Sequence, residues 1–165
     1  MGITVELGIR TWFSPEDDTQ TVFLDFLRQA QHSLRLAVYS FHLPVAVDIL
    51  SQQLRAGVNV ALVLDHSQAE RALELPEIRQ LLATGAEVTV GTSRLHAIMH
   101  HKFAVADGMR VLTGSWNFTL SASREDNFIQ VTSNPEYARL FLDKWQAMRA
   151  WMRTHEPQWQ PPAGP

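Results

Sequence analysis

The sequence predicts an α/β fold: a mixed, mainly parallel β-sheet flanked by helices on both faces, with a β-hairpin in its C-terminal half. Three observations predict it. Helical and strand periodicities alternate as far as residue 90, which favours parallel strands joined by helical crossovers. Two runs, 34–41 and 58–64, are apolar at nearly every position, as strands covered on both faces are. Asp107-Gly108 then separates two strand-like runs, the strongest short-range hairpin signal.

Each element has a local reason. Residues 3–12 alternate loosely and read as a strand. Ser14-Pro15-Glu16-Asp17 reads as a helix start, with Ser14 as N-cap, Pro15 in the first turn and acids beside it. Val22, Phe23, Phe26, Leu27 and Ala30 follow at helical spacing. The run 34–41 is a strand; Pro44 to Ala56 is a helix stopped by Gly57. The run 58–64 is a second buried strand ending at Asp65-His66. Pro76 opens a helix that Gly85 stops, and 86–90 is a short strand. Strands at 101–106 and 110–114 flank the hairpin turn, 128–132 is another strand, and Asn134-Pro135-Glu136 caps a last helix to about Arg153.

The 165 residues suit one domain, placed at 1–154, followed by a Pro-rich tail, 155–165, expected to be flexible. With 45% hydrophobic and 19% charged residues, the chain can bury a core. The absence of Cys excludes disulfides, iron–sulfur clusters, thiolate zinc sites and cysteine nucleophiles. No apolar run has the length of a membrane span, and the first residues lack the pattern of a signal peptide, so a cytoplasmic location is expected. A net charge of −3 argues against gripping nucleic acid by bulk charge. The charge is uneven, however: residues 91–124 hold Arg94, Lys102, Arg110 and Arg124 against Asp107 alone, a net +3.

The hairpin carries the chemistry. With Asp107-Gly108 as a two-residue loop, Ala106 faces Met109, Lys102 faces Thr113 and His100 faces Ser115. His100, Lys102, Ser115 and Asn117 then share one face of the sheet, while Phe103, Val105 and Leu112 share the other. An imidazole, an ammonium, a hydroxyl and an amide make a cationic, donor-rich set suited to a phosphate. It is a poor metal cage, and neither metal nor other cofactor is expected. Of fourteen basic residues only two are Lys, and one of them is Lys102.

These residues spell His100-x-Lys102, four residues, Asp107, six residues, Gly114-Ser115-x-Asn117. The chain is thereby similar to the phospholipase D superfamily, whose HKD signature has this spacing. Phe13-Ser14-Pro15, the stretch 28–35, Tyr39-Ser40-Phe41 and Trp145 in the last helix resemble the small single-motif bacterial endonucleases of that superfamily. The resemblance covers roughly 10–153 and implies a phospholipase D-like fold with a catalytic hairpin. It implies that His100 is a nucleophile forming a phosphohistidine. It implies that Lys102, Ser115 and Asn117 hold the phosphate oxygens, and that Asp126, or the adjacent Glu125, orients the imidazole. Asp107 and Gly114 are read as structural members of the motif, Asp107 bonding backbone amides at the turn.

In-line displacement needs groups on both sides of phosphorus, and one motif supplies one side. A homodimer with a single shared site is therefore expected. His42, Trp116, Arg124 and Glu125 are possible substrate contacts. For His42 a structural role stands open beside this, and for Trp116 a place in the core does. Asp65-His66, at a strand end, is explained by that position. His96 and His100 have the helical spacing of zinc ligands, but no helix is predicted there and Lys102 would repel a cation. The function expected is a metal-independent nuclease acting on DNA or RNA, with no stable membrane association. A phospholipid phosphodiesterase and a non-cleaving nucleic-acid-binding module are the alternatives.

Overall fold

The computed structural model describes residues 8–164. A seven-stranded mixed sheet forms the centre, in the order β1-β9-β7-β6-β2-β4-β5. Its strands are β1 (Ile9–Ser14), β2 (Ser33–Val38), β4 (Asn59–Asp65), β5 (Glu87–Gly91), β6 (Lys102–Ala106), β7 (Arg110–Gly114) and β9 (Asn127–Ser133). Two short strands, β3 (Phe41–His42) and β8 (Phe118–Thr119), pair beside it. The crossovers run through α1 (Thr19–Arg28), α2 (Pro44–Arg55), the single-turn α3 (His66–Ala69) and α4 (Leu75–Thr84); α5 (Pro135–His155) closes the chain. The α/β fold class is the one the sequence predicts. Within the seven-stranded sheet β2, β4 and β5 pair in parallel and the other four pairings are antiparallel, so the sheet is mixed rather than mainly parallel; β3 and β8 pair in parallel beside it.

Both faces of the sheet are buried. One packs Leu34, Leu36, Leu62, Ala104 and Leu112 against Phe23 and Leu27 of α1, Val47 and Leu50 of α2, and Ile78 and Leu81 of α4. The other packs Ala37, Val63, Phe103, Val105 and Val111 against Trp145, Met148 and Met152 of α5. Trp145 also donates its indole N–H to the Leu36 carbonyl at 2.9 Å. Each fully buried Leu or Phe contributes about 1.5–3 kcal/mol, so this two-sided burial is what holds the sheet.

Three expectations are corrected. First, Ser14 is not a helix cap: it ends β1, and its hydroxyl donates to the Glu125 carbonyl at 2.7 Å. A turn held by the Asp17 carboxylate, which accepts the Phe13 amide, carries the chain to Asp18, which caps α1 by accepting the Thr21 amide. The part of the first predicted strand before residue 8 lies outside the described residues. Second, the apolar run 34–41 is not one strand: β2 stops at Val38, opposite Lys102, and Phe41 turns to pair with Phe118.

The third correction concerns register. The hairpin turn closes as expected, with Asp107 and Gly108 both at positive φ and the Met109 amide donating to the Ala106 carbonyl. Met109 is then an extra residue, a bulge, so Arg110 rather than Met109 pairs with Ala106, and Phe103 pairs with Thr113. One residue of shift exchanges faces. Leu112 therefore shares a face with Ala104, not with Phe103 and Val105. The sheet offers no polar face, and the motif residues gather at strand ends instead.

After α5 the chain folds back. The Glu156 carboxylate accepts the Thr92 amide and hydroxyl, and Trp159 packs against the main core. These contacts hold a stretch whose prolines predict flexibility.

Candidate active site

One edge of the sheet collects the chemistry. The C-terminal ends of β2, β4, β5, β7 and β1 and the N-terminal ends of β6 and β9 lie there together, as the pairings Val38–Lys102, Asp65–Gly91, Gly114–Ile129 and Ser14–Asn127 require. Beyond the strand ends the helices no longer cover the backbone, and polar side chains can face solvent. Open α/β sheets bind ligands at this edge, beside the strands from which successive connections diverge.

His100 is exposed, two residues before β6. Its ring meets the edge of Tyr39 at a centroid distance of 4.7 Å. The Lys102 ammonium donates to the His100 carbonyl at 2.8 Å and stands 5.5 Å from the Tyr39 ring centroid. Burial lowers the Lys102 pKa from its ordinary value. Burial also lowers that of His101, and the charges of Lys144, Lys102 and His100 add to the effect. The backbone leading into His100 is anchored from below: the buried Asp65 carboxylate accepts the Met99 amide at 2.8 Å. Beside His100 lies a hollow of about 290 Å³ lined by Arg94, His101, Lys144 and Trp151.

Asn117 reaches the same cluster, its side-chain oxygen accepting the Ser40 amide at 3.4 Å. Ser115 is more occupied. Its hydroxyl donates to Asn127 at 2.9 Å and accepts the Phe128 amide at 3.1 Å. Any phosphate oxygen taking the Ser115 proton would displace Asn127. Asp126 is exposed and lines, with Ser115, Glu16 and Asp17, a second hollow of about 530 Å³. The Glu125 carboxylate accepts from the Asn127 side chain at 3.2 Å. Neither acid is bonded to His100 within the chain.

The other motif residues act elsewhere. Asp107 stands at the far end of β6, where its carboxylate accepts the amides of Gln31, His32 and Ser33. Burial pushes its pKa up, but the three amides and His32 outweigh that and hold it below the usual range. Gly114 lies so close to β9 that a Cβ there would collide with the Phe128 carbonyl.

One suggested substrate contact is corrected. Trp116 is 1% exposed and packs on Phe23 and Phe118, so its faces are unavailable to a base. His42 stands 3.0 Å from the Glu77 carboxylate, which makes it the partner of a buried acid. Arg124 is exposed on the turn before β9. His96 turns to Trp151, with ring centroids 5.7 Å apart. Among the described residues no three His, Asp or Glu side chains cluster as metal ligands, and no helix is long and apolar enough to cross a membrane.

The family described as cardiolipin synthase, PLD-like domain, matches residues 23–149. The chain belongs to the phospholipase D superfamily. It superposes on Nuc, a phospholipase D family member from Salmonella typhimurium, with a TM-score of 0.82 and 25% identity, covering 94% of this chain and 99% of Nuc. NucT from Helicobacter pylori shares the fold, with a TM-score of 0.74 and 18% identity over 87% of this chain and 96% of NucT. Among curated relatives, the Danio rerio mitochondrial cardiolipin hydrolase is 34% identical over 85% of this chain. A phospholipase D of Rickettsia typhi is 26% identical over 90% of it. The chain spans 60% of the former and 71% of the latter. The paired strands β6 and β7, with the residues that flank them, carry the positions on which the resemblance to this superfamily rests. Tyr39, Asp65, Glu74 and Asn127, which sequence reasoning missed or set aside, are the supports around them.

Proposed function

We propose that the chain is a metal-independent phosphodiesterase, a nuclease cutting DNA or RNA, with one active site built by two copies. The observation that carries this is the exposed His100 imidazole at the sheet edge, beside a Lys102 ammonium anchored on the His100 carbonyl. Neutral His100 attacks phosphorus, forming an N–P bond as the P–O bond to the leaving group breaks. The partner's His100, protonated, gives its proton to the departing oxygen. Water then loses a proton to that imidazole, attacks phosphorus, and breaks the N–P bond. Lys102 and Asn117 stabilise the non-bridging oxygens throughout, with Ser115 joining them as its proton leaves Asn127.

Nucleic acid is favoured by the net +3 of residues 91–124 within a chain of −3. A phospholipid substrate is the second reading, favoured by the names of the relatives, cardiolipin hydrolase and phospholipase D. The deciding experiment incubates the chain in EDTA with labelled single- and double-stranded DNA, RNA and anionic vesicles, beside His100→Ala. Cleavage of nucleic acid that His100→Ala abolishes is expected. Headgroup release alone would move the assignment to lipid, and tight binding without cleavage in EDTA or magnesium would leave a binding module.

A further inference from the structure

We propose that Glu74 is a positioning residue of this active site: its carboxylate clamps the Tyr39–Phe41 turn, against which His100, Lys102 and Asn117 rest. The proposal builds on the phosphodiester chemistry above.

Glu74 is the N-cap residue of α4, yet its side chain makes no capping bond to its own helix. It is 2% exposed and points across to the turn after β2. There Oε1 accepts both the Ser40 hydroxyl, at 2.8 Å, and the Phe41 amide, at 3.0 Å. That turn is where three motif residues meet. Tyr39 lies against the His100 ring and below the Lys102 ammonium, and the Ser40 amide donates to Asn117. Tyr39 is pinned at two further points, its amide donating to the His101 carbonyl and its hydroxyl accepting from Gln68. The Tyr39 ring can buttress His100 only while the turn below it is fixed, and the acceptor that fixes it is Glu74.

The protonation of the group fits this task. Oε2 is buried without a hydrogen-bond partner. The Glu74 carboxyl is pushed up to about 7, chiefly by burial and with a smaller push from nearby Glu77, against the opposing effects of Ser40, Phe41 and Arg71. A proton on Oε2 leaves Oε1 free to accept both bonds. Glutamine reproduces that arrangement, whereas leucine keeps the volume and removes the acceptor.

The test compares the full chain with Glu74→Leu and Glu74→Gln, measuring kcat and KM on bis(p-nitrophenyl) phosphate and the titration of the His100 ring by NMR. Glu74→Leu is expected to lower kcat by about tenfold or more with KM within about twofold, and Glu74→Gln to restore it to within about threefold. The His100 midpoint is expected to move in Glu74→Leu and return in Glu74→Gln. Native kcat in Glu74→Leu, or equal loss in both variants, overturns the proposal. If the native chain leaves the diester uncut, the functional reading is at fault, and the His100 midpoint decides on Glu74: the same midpoint in all three proteins overturns it. If Glu74→Leu does not fold, Ser40→Ala decides, since it deletes one of the two donors. A kcat loss of about threefold or more supports the clamp, and an unchanged kcat overturns it.

Discussion

The Asp65 carboxylate receives the Met99 amide at 2.8 Å, across the end of the sheet and one residue before His100. Its other oxygen accepts the Ser67 amide at 3.0 Å and so caps α3. One buried side chain thus ends a strand, starts a helix and fixes the backbone that carries the candidate nucleophile. Asp65→Ala leaves the buried Met99 amide without an acceptor and the helix uncapped. A loss of about 2–4 kcal/mol in urea unfolding is expected, with Asp65→Asn losing less because its side-chain oxygen can still accept from Met99.

Asp107 makes a stability prediction with a definite sign. Its folded pKa is held below the ordinary 3.8 by amide hydrogen bonds that outweigh burial. A carboxyl depressed in the folded state binds fewer protons there than in the unfolded chain between the two pKa values. Its contribution is therefore complete above about 3.8 and is lost as pH falls through the folded value. Asp107→Ala should cost about 1–3 kcal/mol at neutral pH. Urea titrations at several pH values should show the gap to the native chain narrowing below about 4. A gap independent of pH would mean that the amides are satisfied without the charge.

How legible these supports were follows from the distance over which each contact is made. Asp107 was readable as a turn residue because Asp-Gly between two apolar runs needs positive φ, and both residues have it. The amides its carboxylate accepts, those of Gln31, His32 and Ser33, lie 74–76 positions away and leave no mark on the turn. Asn134, Gly85 and Pro44 were likewise readable from local signals. The bulge at Met109 was not, because its register is settled by β2 and β9 on either side of the hairpin, and neither leaves a mark on the hairpin's own residues. Glu74 was invisible as well. It reaches Phe41 across 33 positions of sequence, and an acid two residues before a proline at a helix start looks like any solvated first turn. Trp116, set between two motif residues, left a stacking role open beside the core role that aromatics more often take, and the packing of Phe23 and Phe118 decided for the core.

Gly114 is constrained by a neighbour rather than by its turn. The place where a Cβ would sit is filled by the carbonyl of Phe128, in the strand paired with β7. Gly114→Ala must push β7 and β9 apart where Ser115 bonds Asn127 and Phe128. Overpacking of this kind costs about 1–3 kcal/mol, and here it also displaces Ser115. The expected result is a lower thermal midpoint together with a loss of activity larger than the unfolded fraction explains. A fully stable and active Gly114→Ala would show that the strands can part freely.

Glu74 gives the opposite pH signature to Asp107. Burial raises its folded pKa from 4.5 to about 7, so between those values the folded chain holds a proton that the unfolded chain has released. Stability therefore falls as pH rises from about 4.5 and levels off above about 7. Glu74→Gln removes this titration while keeping an acceptor for Ser40 and Phe41. The variant should match the native chain near pH 4.5 and exceed it above pH 7, by at most about 3 kcal/mol from the size of the shift. Urea unfolding of both proteins between pH 4.5 and 8.5 measures the difference. Curves that stay parallel across that range would show that the carboxyl titrates alike in the folded and unfolded chain, and that its burial is relieved by water.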